Sequence, residues 1–164
     1  MSKGLNVVIL DDDPQVCRLL EQMTRRFYTW GEVHPFTDYL EARTFCFNQD
    51  ASIGIFVLDV FLGEYSAFDF IEAVSVHYPM APQDSIVITG NASDDIVDTC
   101  VAVGVNHLLE KPIKPYAYQC AVRAIAAKYL GFAQRLMNDP SFAREVEKLD
   151  NLFGDLDQGP VANS

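Results

Sequence analysis

Apolar runs recur along the chain with amphipathic stretches between them. Asn6–Leu10 is aliphatic and β-branched and ends at Asp and Pro, the pattern of a buried strand. From Pro14 to about Tyr28, the apolar Val16, Leu19, Leu20, Met23 and Phe27 recur at helical spacing, which predicts an amphipathic helix. Glu32–Phe36 reads as a weaker strand, with Pro35 suited to a sheet edge. Tyr39–Phe47 reads as a short helix and Ile53–Leu58 as a second fully apolar strand. Ala67–Tyr78 is expected to be helical, with Phe68, Ile71, Val74 and Val76 apolar and Pro79 as its stop. Ser85–Ile88 is a further strand. Ser93–Val103 is a helix capped by Ser93, with Asp94 and Asp95 in the first turn, where negative charge suits the dipole, and Gly104 at its end. Val105–Leu109 completes the strands, and Pro115–Leu130 is a long helix.

Five β-α units follow one another. Strands without polar alternation belong to a parallel sheet buried on both faces. With loops this short, the expected fold is α/β: a doubly wound five-stranded parallel sheet with helices on both faces. Residues 1–130 make this domain and 131–164 a tail. In the tail, Phe142, Val146, Leu149 and Phe153 fall on one helical face, and Asp139-Pro140 is a suitable helix start. Gly154 to Ser164 is expected to be frayed and disordered.

The net charge of −11 changes the picture of partners. Residues 1–130 carry −8 of it, so the acidity is not confined to the tail. Direct nucleic-acid binding relies on basic patches and is not expected, nor is an anionic membrane surface. Cys17, Cys46, Cys100 and Cys120 form no CxxC and show no zinc-site spacing, so reduced, mostly buried thiols are expected, as in a reducing cytoplasm. The apolar stretch at the N-terminus is short for a signal peptide, and no run approaches the ~18 apolar residues of a membrane span. A cytoplasmic protein is the expectation.

In an open α/β sheet, chemistry collects at the carboxyl ends of the strands. Asp11, Asp12 and Asp13 follow the first strand, Asp59 the third, Thr89 the fourth and Lys111 the fifth. Clustered carboxylates destabilise one another's ionised forms, and a hard divalent cation such as Mg²⁺ relieves this. A threonine hydroxyl and a lysine ammonium suit phosphoryl oxygens. Phosphoryl transfer needs mainly positioning and charge neutralisation, and a carboxylate can be the nucleophile, giving an acyl phosphate.

The segments VVILDDDP, FVLDVFLGEYSAFDFI, IVITG and LLEKPI resemble, in order and spacing, the receiver domain of two-component response regulators, over about residues 4–130. The resemblance implies a flavodoxin-like strand order 2-1-3-4-5. It implies Asp59 as phosphoacceptor, Asp11 and Asp12 as the acidic pair that with Asp59 holds Mg²⁺, and Phe61 as the residue offering its backbone carbonyl to the metal. It further implies Thr89 as the switch hydroxyl, Lys111 as the phosphate-binding lysine, and a cis bond between Lys111 and Pro112. The function implied is a signalling module, not a classical enzyme, whose self-catalysed chemistry is limited to phosphoryl transfer and autodephosphorylation. The partners implied are a sensor histidine kinase or phosphotransfer protein and a downstream target protein. A homodimer through the face of the fourth helix, fifth strand and fifth helix, or through the tail helix, is a further expectation. About 34 residues follow the receiver-like part, short for a typical output domain, so a stand-alone receiver, or one cut from a longer chain, is expected.

The chain departs from the family pattern in places. Leu108 stands where the family often has an aromatic switch partner of the threonine. Gly63 stands where it commonly has Pro, and Ala67 where it commonly has Gly. Phe61 and Asn91 hold the positions that tune dephosphorylation, and Phe61 has no polar group to orient water, so a long-lived phosphoryl state is expected. Two other readings compete. Asp11 and Asp13 match the Asp-x-Asp signature of haloacid dehalogenase-type phosphatases, although that reading gives Asp59 no role. The departures at Leu108 and Gly63 fit a pseudo-receiver that is never phosphorylated. Asp13, ahead of Pro14, is read as a helix N-cap.

Overall fold

A computed structural model of the protein describes residues 4–157, with side chains as far as Leu152. The uninterrupted aliphatic runs become β1 (Val7–Leu10), β3 (Ile55–Asp59) and β6 (Ser85–Thr89), each buried along its whole length. Strands buried at every position need cover on both faces, and a parallel sheet between helix layers supplies it. β2 (Val33–Phe36) and β7 (His107–Glu110) are less buried and form the two edges. The five strands are parallel, in the spatial order β2-β1-β3-β6-β7, which is 2-1-3-4-5 among the sheet strands. Pro35 lies in edge strand β2 opposite Ile9, where its missing N–H is tolerated.

The helices are α1 (Pro14–Phe27), α2 (Tyr39–Phe47), α3 (Ala67–Val74), α4 (Asp94–Val103), α5 (Pro115–Asn138) and α6 (Pro140–Asp157). On one sheet face Val8, Leu10, Phe56, Leu58 and Val87 form a single core cluster with Ala42 and Cys46 of α2, Phe70, Ile71 and Val74 of α3 and Cys100 of α4. The alternate strand residues Val7, Ile9, Ile55, Val57 and Ile86 are buried on the other face. There Leu20 and Met23 of α1 and Tyr118, Val122 and Ile125 of α5 are buried as well. The Tyr118 hydroxyl and Thr24 Oγ1, 2.5 Å apart, join these two helices.

Several elements differ from the sequence expectation. α3 stops at Val74 rather than Tyr78. The Ser75 N–H and hydroxyl both bond the Ile71 carbonyl, and the N–H groups of His77 and Tyr78 both turn back to the Val74 carbonyl. Val76 is therefore exposed rather than part of an apolar helix face, and Tyr78 drops into the core to bond the Cys46 carbonyl. α5 continues past Leu130 to Asn138, because Gly131 alone does not end a helix of otherwise good helix formers. A two-stranded antiparallel hairpin, β4 (Phe61–Leu62) and β5 (Tyr65–Ser66), follows β3 and was not expected.

Backbone contacts divide the chain into two units, Met1–Ala126 and Ala127–Ser164. Within the second, α6 begins at the expected place: Asp139 Oδ1 accepts from the Phe142 N–H ahead of Pro140. The Phe132 and Phe142 rings meet edge to face at 5.5 Å, and the Arg135 guanidinium lies 4.1 Å from the Phe142 ring centre. α6 runs through Gly154 to Asp157, where fraying was expected, since one glycine costs only about 1 kcal/mol in a helix. Residues 158–164 and the Phe153 side chain lie outside the described residues. Cys17, Cys46 and Cys100 are buried free thiols and Cys120 is an exposed one. Among the described residues, no helix is long and apolar enough to cross a membrane.

Candidate functional site

The parallel register brings the carboxyl ends of β1, β3, β6 and β7 to one edge, and the polar residues sit there. Asp11 follows β1 and is almost fully buried, while Asp12 beside it is exposed. Asp59 ends β3 and is buried. One carboxylate oxygen from each of Asp11, Asp12 and Asp59 lies within 4.8 Å of the others. This spacing lets three carboxylates address a single cation.

Asp13 is used differently. Its Oδ1 accepts from the Gln15 N–H as the N-cap of α1, and its own N–H donates to Asp11 Oδ1 at 2.9 Å. The third aspartate thus starts the helix and orients the first, and it stands outside the carboxylate cluster. An Asp-x-Asp pair built on Asp11 and Asp13 has no support in this arrangement.

Lys111 enters from the end of β7. Its N–H bonds the Thr89 carbonyl at 2.8 Å, and the peptide bond to Pro112 is cis, as the resemblance implied. Its ammonium lies 3.4 Å from Asp11 Oδ2 and 3.4 Å from Asp59 Oδ1. That distance makes an ion pair but not a well-formed hydrogen bond, and buried Asp11 Oδ2 has no hydrogen-bond partner. Burial pushes the Asp59 carboxyl up to about 6, with Asp11 adding to the rise and Lys111 opposing it. Burial likewise raises Asp11. Burial works to lower the Lys111 ammonium, but the Asp11 and Asp59 carboxylates outweigh it and hold it above its ordinary value. The two buried carboxylates are short of positive charge. An orphaned buried oxygen, a raised Asp59 and an all-oxygen donor set fit a hard divalent cation.

Thr89 ends β6 and is fully buried. Its Oγ1 donates to the Asn91 carbonyl at 3.1 Å and accepts from the Asn91 N–H at 3.2 Å. Leu108 pairs with Val87 and packs against the core, so an aliphatic side chain fills the position where an aromatic was absent from the sequence. Phe61, two residues after Asp59, begins β4 with a side chain 67% exposed. Gly63 opens the two-residue turn of the hairpin at φ +67°, which proline cannot adopt, so the departure at this position has a backbone cause. Across the hairpin, Tyr65 stacks on Tyr39 of α2 with ring centres 3.9 Å apart. Ala67 is buried as the first residue of α3, and its N–H bonds the Val60 carbonyl.

One polar contact was missed in the sequence. Glu110, the residue before Lys111, sends Oε1 to the Ala92 N–H at 3.1 Å. Its only sequence signal is an acidic residue at the carboxyl end of a strand, on the edge where the other polar residues collect.

The response regulator receiver domain family matches residues 7–123. The chain belongs to this family. The two-component response regulator PprB of Pseudomonas aeruginosa is 29% identical over 119 residues, which are 70% of this chain and 41% of that protein. The transcriptional regulatory protein DcuR of Shigella flexneri is 22% identical over 156 residues, 95% of this chain and 63% of that protein. The chain spans less than two thirds of the length of either relative. Among solved structures, a response regulator receiver domain protein from Clostridium thermocellum superposes with a TM-score of 0.66 at 19% identity, covering 77% of this chain and 98% of that one. Chemotaxis protein CheY4 of Vibrio cholerae gives 0.64 at 20% identity, covering 74% and 98%. These structural likenesses establish the fold. The receiver domain of this chain is a signalling domain of the two-component type, not a classical enzyme.

Proposed function

We propose that this receiver accepts a phosphoryl group on Asp59 and signals through the resulting change in protein contacts. The observation that carries the reading is the convergence of Lys111 on Asp11 Oδ2 and Asp59 Oδ1 at 3.4 Å each, an ion pair that leaves the buried Asp11 Oδ2 without a hydrogen bond. In this reading residues 1–130 are the receiver. An Asp59 carboxylate oxygen attacks the phosphorus of the donor, the new O–P bond forms, and the donor's O–P or N–P bond breaks with its electron pair leaving on the donor.

Asp11, Asp12 and Asp59, with the backbone carbonyl of Phe61, would hold Mg²⁺. When bound, that ion neutralises carboxylate repulsion and the charge of the phosphoryl oxygens. Lys111 offers its ammonium to a phosphoryl oxygen, and Thr89 offers its hydroxyl once it leaves Asn91. The phosphoryl donor is a sensor histidine kinase or phosphotransfer protein, and a downstream target protein reads the phosphorylated form. Self-catalysed transfer from a small donor follows from the same groups.

Incubation with acetyl phosphate and Mg²⁺, followed by intact mass, tests this. A phosphoryl adduct is expected on the wild type, with acetate released, and none on Asp59→Asn. Absence of any Mg²⁺-dependent adduct on the wild type would point instead to the pseudo-receiver.

A further inference from the structure

Glu110 is the last residue of β7 and stands opposite Thr89 in the β6–β7 register. Its Oε1 accepts from the Ala92 N–H, in the loop that joins β6 to α4. Ala92 directly precedes Ser93, the N-cap of α4. The same loop is also held by Thr89, whose hydroxyl donates to the Asn91 carbonyl and accepts from the Asn91 N–H. The loop is therefore held at two neighbouring residues by side chains from two strands. Leu108 and Glu110 lie two residues apart on β7 and so on the same side of it. Leu108 brings no polar group, and the polar contact from this side of β7 to the loop comes from Glu110.

We propose that Glu110 latches the β6–α4 loop in the unphosphorylated state and so sets how readily Asp59 is phosphorylated. This rests on the reading of Asp59 as phosphoacceptor. To donate to a phosphoryl oxygen on Asp59, the Thr89 hydroxyl must give up the Asn91 carbonyl. The loop backbone then rearranges, and the Glu110–Ala92 bond opposes that movement. A contact made in one state and not the other shifts the equilibrium by its differential free energy. A carboxylate acceptor on a backbone N–H is stronger than a neutral one, though solvent exposure of Glu110 moderates the effect. Glu110 is a positioning residue that acts through the loop.

The test is the phosphorylation rate of the full chain by acetyl phosphate and Mg²⁺, read by intact mass, for wild type, Glu110→Ala and Glu110→Gln. Glu110→Ala is expected to react about threefold to tenfold faster, the size of one lost hydrogen bond. Glu110→Gln keeps an oxygen that accepts from the Ala92 N–H and is expected to stay close to wild type. Hydrogen exchange at the Ala92 amide should quicken in Glu110→Ala. A Glu110→Ala rate equal to or below wild type overturns the latch, including the case in which exchange quickens alone, since that is a merely structural role. A Glu110→Gln rate as high as that of Glu110→Ala also overturns it, by assigning the effect to charge. If the wild type itself takes no phosphoryl group, the Asp59 reading fails and the latch falls with it.

Discussion

The Lys111 ammonium lies 3.4 Å from Asp59 Oδ1, yet Asp59 still titrates at about 6, above the ordinary 3.8. One part-exposed cation shared between two buried carboxylates does not offset their burial and mutual repulsion. The ionised site is consequently under electrostatic stress until further positive charge arrives.

That stress predicts a pH-dependent stability. Between pH 3.8 and about 6 the folded protein holds a proton on Asp59 that the unfolded chain has released. The contribution of Asp59 to stability is therefore greatest at the acid end and falls as pH rises through about 6. The size is about 3 kcal/mol at neutral pH, from the span between the two values. Asp59→Asn imitates the neutral carboxyl, so in cation-free buffer it should be more stable than wild type at pH 7.5 and no more stable at pH 4. Urea denaturation at the two pH values checks this, and equal stabilities at pH 7.5 would refute it.

Asp12 and Asp13 should separate in function although they are adjacent. Asp12→Ala is expected to abolish Mg²⁺ binding, because it removes one of the three carboxylates of the cluster. Asp13→Ser should retain it and cost less than about 1 kcal/mol, since serine also accepts from an N–H at a helix start. Calorimetric titration with Mg²⁺ and thermal melts of both variants decide the matter.

Gly63 should resist substitution for a backbone reason alone. A Cβ there meets nothing within 4 Å, so the cost of Gly63→Ala is that of the positive φ, about 1 kcal/mol. Gly63→Pro should cost more and disorder the Phe61–Ser66 hairpin, because proline fixes φ near −65°. Denaturant unfolding gives the stabilities, and hydrogen exchange at Tyr65 and Ser66 reports the hairpin.

Phe61, two residues after Asp59, presents an exposed ring with no group able to orient an attacking water. The phosphoryl adduct is expected to persist for minutes or longer, and Phe61→Asn to shorten its life by about tenfold through better water positioning. Decay of the adduct after donor removal measures both. A wild-type lifetime of a few seconds contradicts the expectation.

The sequence by itself determined the sheet. Val7–Leu10, Ile55–Leu58 and Ser85–Ile88 are apolar or small at every position, and such runs are stable only when both faces are covered. With the strands placed, the edge carrying Asp11, Asp12, Asp59, Thr89 and Lys111 follows from the parallel direction. The Asp13 cap was legible for the same reason, since N-capping is local chemistry between neighbours in the chain. Tertiary structure alone decided what depends on backbone turns and distant register. α3 ends at Val74, beyond which the His77 N–H bonds the Val74 carbonyl three residues back, whereas apolar spacing alone ran on to Tyr78. The Phe61–Ser66 hairpin has strands of two residues, too short for a period to show. The pairing of Thr89 with Glu110 brings Glu110 within reach of Ala92, eighteen residues away, and no local pattern encodes that distance. The spacing of Lys111 between two carboxylates is likewise set by how β1, β3 and β7 lie across the sheet.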